Sequence, residues 1–113
     1  TTDLSYQDCL YDPENQMYLC LDSVLNDSRC PSDAICIWEG NAEARFKFEK
    51  YNDKPILFKL NTHSGFATDA IIDIYKITLI GLSPYPTVEH GILQKNYRAK
   101  IIVNRNNPAR SAI

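Results

Sequence analysis

The chain has 113 residues and a mass of 12.9 kDa, with 44% apolar and 23% charged residues and a formal net charge of −2. That is enough chain for one domain with one core, burying roughly 60 to 70% of its unfolded surface, and it is too apolar for a disordered segment. A pI near 5.6 and no block of Lys or Arg exclude the charge footprint of a nucleic-acid or anionic-membrane binder, and no apolar run approaches the ~20 residues that span a bilayer.

The chain opens Thr1-Thr2-Asp3 without an initiator Met, a basic segment or an apolar leader, so it reads as a mature fragment from which an export signal, and any lipid anchor with it, has been removed. Cys9, Cys20, Cys30 and Cys36 form an even set in a small chain, the pattern of a disulfide framework in an oxidising compartment. Export is therefore the expected localisation.

Nearly every segment has the two-residue period of strands, and the one helix-like window, Thr87 to Lys100, is broken by Gly91. Segments 3 to 11 and 16 to 25 flank Asp12-Pro13-Glu14-Asn15, where Pro presets φ and Asn tolerates the left-handed region, so a hairpin is expected. If its turn centres on Glu14 and Asn15, Cys9 lies directly opposite Cys20 and a cross-strand disulfide follows. From Cys36 the even positions Cys36, Trp38, Gly40, Ala42, Ala44, Phe46 and Phe48 face inward, and Glu39, Asn41, Glu43, Arg45, Lys47 and Glu49 face outward, with a phase-preserving bend at Gly40. Tyr51-Asn52-Asp53-Lys54 turns this strand into Pro55 to Leu60 as a second hairpin.

Asn61 to Asp69 reads as a loop whose end at Thr68-Asp69 caps one short helical turn. Ile71 to Leu82 has apolar residues on both phases, as expected of a central strand covered on both faces. Ser83-Pro84-Tyr85-Pro86 stops it by removing ladder donors, with a cis bond allowed at either proline. Tyr97, Ala99, Ile101 and Val103 mark the last strand, and the segment from Asn104, including Asn107-Pro108, reads as a frayed tail (105 to 113). The expected fold is a single all-β domain, an antiparallel β-sandwich of immunoglobulin-like or small-barrel form stapled by disulfides.

Asp27-Ser28-Arg29-Cys30-Pro31, Cys36-Ile37-Trp38-Glu39-Gly40-Asn41-Ala42, Ser83-Pro84-Tyr85-Pro86 and Tyr97-Arg98-Ala99 together resemble a family of small exported or lipid-anchored bacterial proteins of uncharacterised function. The resemblance covers residues 16 to 104 and transfers no catalytic residue. It implies that Cys30 and Cys36 pair with each other, and that the amino-terminal hairpin, residues 1 to 20, is an addition whose two cysteines bond each other.

Cys30 and Cys36 enclose residues 31 to 35, the wrong spacing for a thioredoxin-type redox pair or a zinc knuckle, so a structural staple is expected. Trp38 is read as a core residue packed against this staple, with a sugar- or ligand-stacking platform as the functional alternative. Asp27 and Arg29 form either a buried ion pair that orders the loop or a presented loop, in which an exposed Arg29 enters a trypsin-like protease pocket. Tyr85 either closes the end of the strand or lines a recognition edge.

His63 and His90 are isolated in loops, no nucleophile elbow accompanies them, and Asp22, Asp27 and Asp33 lack calcium-loop spacing. Asn26-Asp27-Ser28 matches a glycosylation sequon, relevant only in a eukaryotic secretory host. No cofactor, metal or catalytic residue is expected. The sequence reading is an exported, non-enzymatic binding or interaction module whose partner is an envelope or extracellular protein or a small ligand, with Asp27, Arg29, Trp38 and Tyr85 as candidate binding residues. The alternative is a secreted protease inhibitor presenting Arg29.

Overall fold

In the computed structural model, which describes residues 1–105, period-two alternation builds eight strands. They are β1 (Thr2–Ser5), β2 (Cys9–Asp12), β3 (Met17–Asp27), β4 (Ala42–Lys50), β5 (Ile56–Asn61), β6 (Asp69–Ile72), β7 (Tyr75–Ser83) and β8 (Arg98–Arg105), with a short 3-10 turn at Gln94–Asn96. All pairings are antiparallel, in two four-stranded sheets of order β1-β8-β7-β6 and β2-β3-β4-β5. The two sheets pack into an open sandwich, not a closed barrel. Leu19, Leu21, Phe46 and Leu60 from one sheet meet Leu4, Ile77 and Ile101 from the other in a core from which water is excluded.

The first hairpin has the expected register: Cys9 pairs with Cys20 and is disulfide-bonded to it. Segment 3 to 11, however, is not one strand. Gln7 adopts a left-handed φ of 61°, and the chain passes from β1, paired with β8, to β2 in the other sheet. Leu4 is fully buried, so residues 1 to 20 contribute to both sheets.

Segment 71 to 82 is likewise divided, because Asp73 and Ile74 reverse the chain between β6 and β7, with Asp73 at φ 56°. A bulge between Leu79 and Gly81 then moves the apolar phase, so Tyr75, Ile77, Leu79 and Leu82 are buried while Ile80 points to water. The apolar residues on both phases therefore come from a reversal and a bulge, not from burial on two faces. Bulges between Leu21 and Ser23 and between Val24 and Asn26 shift the phase of β3 in the same way.

A strand begins at Asp69 where a helical turn was expected. Asn104 and Arg105 belong to β8, Arg105 pairing with Tyr75, and the rest of the expected tail, including Asn107-Pro108, lies outside the described residues. Among the described residues no helix is long and apolar enough to cross a membrane.

Candidate functional site

The strands are joined at one end of the sandwich by residues 28–41, 62–68 and 84–97, and the motif residues gather there. Beyond β3 the chain stays beside the segment entering β4: the Ser28 amide donates to the Asn41 carbonyl at 2.7 Å, and that of Cys30 donates to the Glu39 carbonyl at 2.9 Å. Gly40 is buried between them at φ +76°, where a Cβ would lie 2.0 Å from the Ser28 oxygen and 2.7 Å from the Arg29 Cα. Only glycine allows this approach. It turns Arg29 inward.

Arg29 is 4% exposed. Its Nε donates to Asp27 Oδ1 at 2.8 Å and its Nη2 to Asp27 Oδ2 at 2.8 Å, a bidentate pair. Nη1 donates to the Leu82 carbonyl, and Nη2 also donates to the Pro84 carbonyl at 2.7 Å. The Tyr97 hydroxyl donates to Asp27 Oδ2 at 2.8 Å, and the Tyr85 ring covers the guanidinium, its centroid 4.5 Å from Cζ. Asp27 ends β3 in one sheet, whereas Leu82 and Tyr97 belong to β7 and the approach to β8 in the other, so one guanidinium ties the sheets together.

Burial pushes the Asp27 carboxyl up, but hydrogen bonds from Arg29 and Tyr97 outweigh it and hold the group below the usual 3.8. Burial, and the hydrogen bond to Asp27, push the Tyr97 hydroxyl up to about 12. Among the described residues no buried side-chain nitrogen or oxygen lacks a partner. Of the two sequence readings of Asp27 and Arg29, the geometry is that of the buried ion pair. A protease-inhibiting loop needs Arg29 in solvent, and its side chain is covered.

Immediately after this latch the Cys30–Cys36 disulfide closes a small loop. The Ser32 amide donates to the Pro86 carbonyl at 3.0 Å, and the Val88 amide donates to Asp33 Oδ1 at 2.9 Å, so the loop is docked on the segment after β7. The peptide bond between Ser83 and Pro84 is cis. Tyr85 leaves more than half of its surface in water beyond the guanidinium.

Trp38 is not in the core. It is 52% exposed, Cys36 is also exposed, and the indole lies against His63 with centroids 5.3 Å apart. The reason is Gly40: its left-handed backbone interrupts the strand phase, so the inward series starts at Ala42 and does not extend back to Trp38 and Cys36.

His63 in turn contacts Phe66 at 5.9 Å. Its Nε2 lies 2.9 Å from Glu39 Oε1 and its Nδ1 accepts from the Gly65 amide at 2.8 Å. Asn41 and Asn61 anchor this loop beneath, Asn41 Oδ1 accepting from the His63 amide at 3.0 Å and Asn61 Nδ2 donating to the Ala67 carbonyl at 3.0 Å.

The structure thus brings together Asp27, Arg29 and Tyr85, and sets Trp38 apart with His63, Phe66 and Glu39. Sequence reasoning missed Ile35 and Ile37, which stand wholly in water at 103% and 107% relative exposure. Their signal was present: Ile35 lies inside a disulfide loop too short to bury it, and Ile37 directly follows its closing cysteine. Tyr97 and the carbonyls of Leu82 and Pro84 had none, because a strand-start tyrosine reads as core and a carbonyl belongs to every residue. Comparison with family models, with curated proteins and with solved structures finds no match for this chain.

Proposed function

We propose that this domain is an exported, non-enzymatic interaction module that binds another protein through the loops at the Arg29 end of the sandwich. The observation that carries this reading is the contrast between a fixed base and an apolar tip. The loops are pinned by the latch, the disulfide and the loop-to-loop hydrogen bonds, yet they hold Ile35, Ile37, Trp38, Phe66 and Val88 in solvent. Apolar side chains on a pre-ordered loop bind with little further loss of chain entropy, and an exposed apolar group of this kind marks a protein-contact surface.

Ile35 and Ile37 stand wholly in solvent, so the partner supplies the concavity. That favours a protein over a small ligand. Two disulfides in a small β domain fit an oxidising compartment, and the resemblance of the Asp27 to Ala42 segment to exported or lipid-anchored bacterial proteins supports the same reading.

The test is a photoreactive residue at Ile37 or, as a control on an exposed strand face, at Leu57, in cells that export the protein. The expected result is a discrete adduct from position 37 and none from 57, competed away by the added native domain but not by its Ile35→Ser/Ile37→Ser variant. No adduct from position 37, or the same adducts from both positions, overturns the proposal.

A further inference from the structure

The opposite end of the sandwich carries a different surface. On the outward face of β2 and β3, Tyr11 and Tyr18 are directly paired, with stacked rings 4.5 Å apart and each 47% exposed. Tyr51, in the turn after β4, is 69% exposed, and the Tyr51 amide donates to the Gln16 carbonyl at 3.1 Å, which joins this turn to that of the first hairpin. The three tyrosines line an open groove together with Gln16, Glu49, Lys50, Asn52 and Asp53.

We propose that this groove is a second binding site and that it takes a neutral glycan. The aromatic faces suit the C–H faces of a pyranose ring, which are apolar and flat, whereas the rim must satisfy ring hydroxyls that both donate and accept. Among the described residues, the side chains of Gln16, Asn52 and Asp53 and the three phenol groups make no side-chain hydrogen bond. Amides, phenols and a carboxylate supply donors and acceptors of both kinds. Lys50, the lysine that lines the groove, is paired with Asp73 at 2.8 Å, and Lys47 is paired with Glu49 at 3.1 Å, so the groove offers an anion no unpaired lining cation. A purely apolar ligand would leave the polar rim without partners.

This site lies on other residues than the protein-binding loops and does not depend on them. Its test is an amide chemical-shift titration of the intact domain with cellohexaose, maltohexaose, xylohexaose and chitohexaose, and with a proline-rich peptide as the competing class of ligand. At least one oligosaccharide is expected to shift amides of residues 10–18 and 49–53 and to leave residues 32–38 unchanged. Tyr18→Ala should weaken that binding by about tenfold, the upper range for loss of one stacking ring, and Tyr18→Phe, which keeps the ring, should hold it within about threefold.

Tyr18 is half exposed, so the unaltered spectrum of both variants outside the groove checks that they fold. No shift with any of the four sugars, shifts elsewhere on the domain, or shifts of these amides by the peptide alone overturns the proposal.

Discussion

The two ends of the sandwich are closed by different means. At one end residues 13–16, 51–55 and 73–74 reverse the chain in tight turns, and at the other residues 28–41, 62–68 and 84–97 cross in longer loops. A tight turn needs little beyond a residue that tolerates left-handed backbone, and Gln16, Asn52 and Asp73 take φ values of 51°, 64° and 56°. The accompanying ion pairs are exposed: Arg105 to Glu14 at 2.8 Å, and Lys50 to Asp73 at 2.8 Å. At the loop end the carbonyls of Leu82, near the end of β7, and Pro84, just beyond it, both accept from one buried guanidinium. The difference teaches that the buried charge of this domain sits where it can satisfy covered loop carbonyls, whereas the tight turns keep their ion pairs at the surface.

The sharpest way to break the comparison is Arg29→Met, which keeps much of the volume and removes the donors. It leaves Asp27 and the Leu82 and Pro84 carbonyls covered and short of partners, and should lower the unfolding free energy in urea by about 3 to 5 kcal/mol. Asp27→Leu added to it should restore a large part of that loss, since replacing both partners removes the stranded charge. A cost below about 1 kcal/mol for Arg29→Met would put the latch on a par with a surface pair.

Next in size is Gly40→Ala, expected to cost about 2 to 3 kcal/mol because of its φ of +76° and the contact with the Ser28 carbonyl. Gly91, with nothing within 4 Å of its Cβ position, should accept Ala within about 0.5 kcal/mol.

The pH dependence involves both ends. Asp27 is held below 3.8 by its hydrogen bonds from Arg29 and Tyr97 against its burial, and Asp12 is drawn down to about 2 by hydrogen bonds from Asn15 and Tyr75. A depressed folded value means stability present above the unfolded value of 3.8 and lost as pH falls toward the folded one, so thermal melts should drop between pH 4 and pH 2. Tyr97 and Tyr75, both raised by burial to about 12, keep their contribution below pH 10 and lose it between 10 and 12. Tyr97→Phe should flatten that alkaline arm.

Smallest is Arg105→Ala at the turn end, expected to leave the melting temperature almost unchanged and to have no effect at high salt. A large cost there would remove the contrast between the ends.

Much of the scaffold was legible where a single period held. Ala42 to Phe48 gave β4, and the Pro13 to Asn15 turn fixed the register that opposes Cys9 to Cys20. Legibility failed where the backbone changes phase within an apolar run: at Gln7, at Asp73, and at the bulges in β3 and β7, since an alternating pattern is read the same way whether the chain continues, reverses or slips by one residue. The latch was half legible. Asp27 and Arg29 are close in sequence and chemically complementary, but their other partners come from residues 53 to 70 positions away. Trp38 was misplaced because the alternation around Gly40 is unbroken in the sequence, and only the left-handed glycine shows that the inward face ends there.

Amide hydrogen exchange in the native protein and in Arg29→Lys, which keeps the charge but loses the planar fork, tests most directly whether the guanidinium holds the loops of residues 28–41 and 84–97 in place. The amides of Cys30 and Ser32, hydrogen-bonded to Glu39 and Pro86, should be protected in the native protein and lose protection in the variant, while the Leu21 and Tyr51 amides, hydrogen-bonded to Asp8 and Gln16 away from the latch, keep theirs. Unprotected Cys30 and Ser32 amides in the native protein, or protection unchanged by Arg29→Lys, would contradict it.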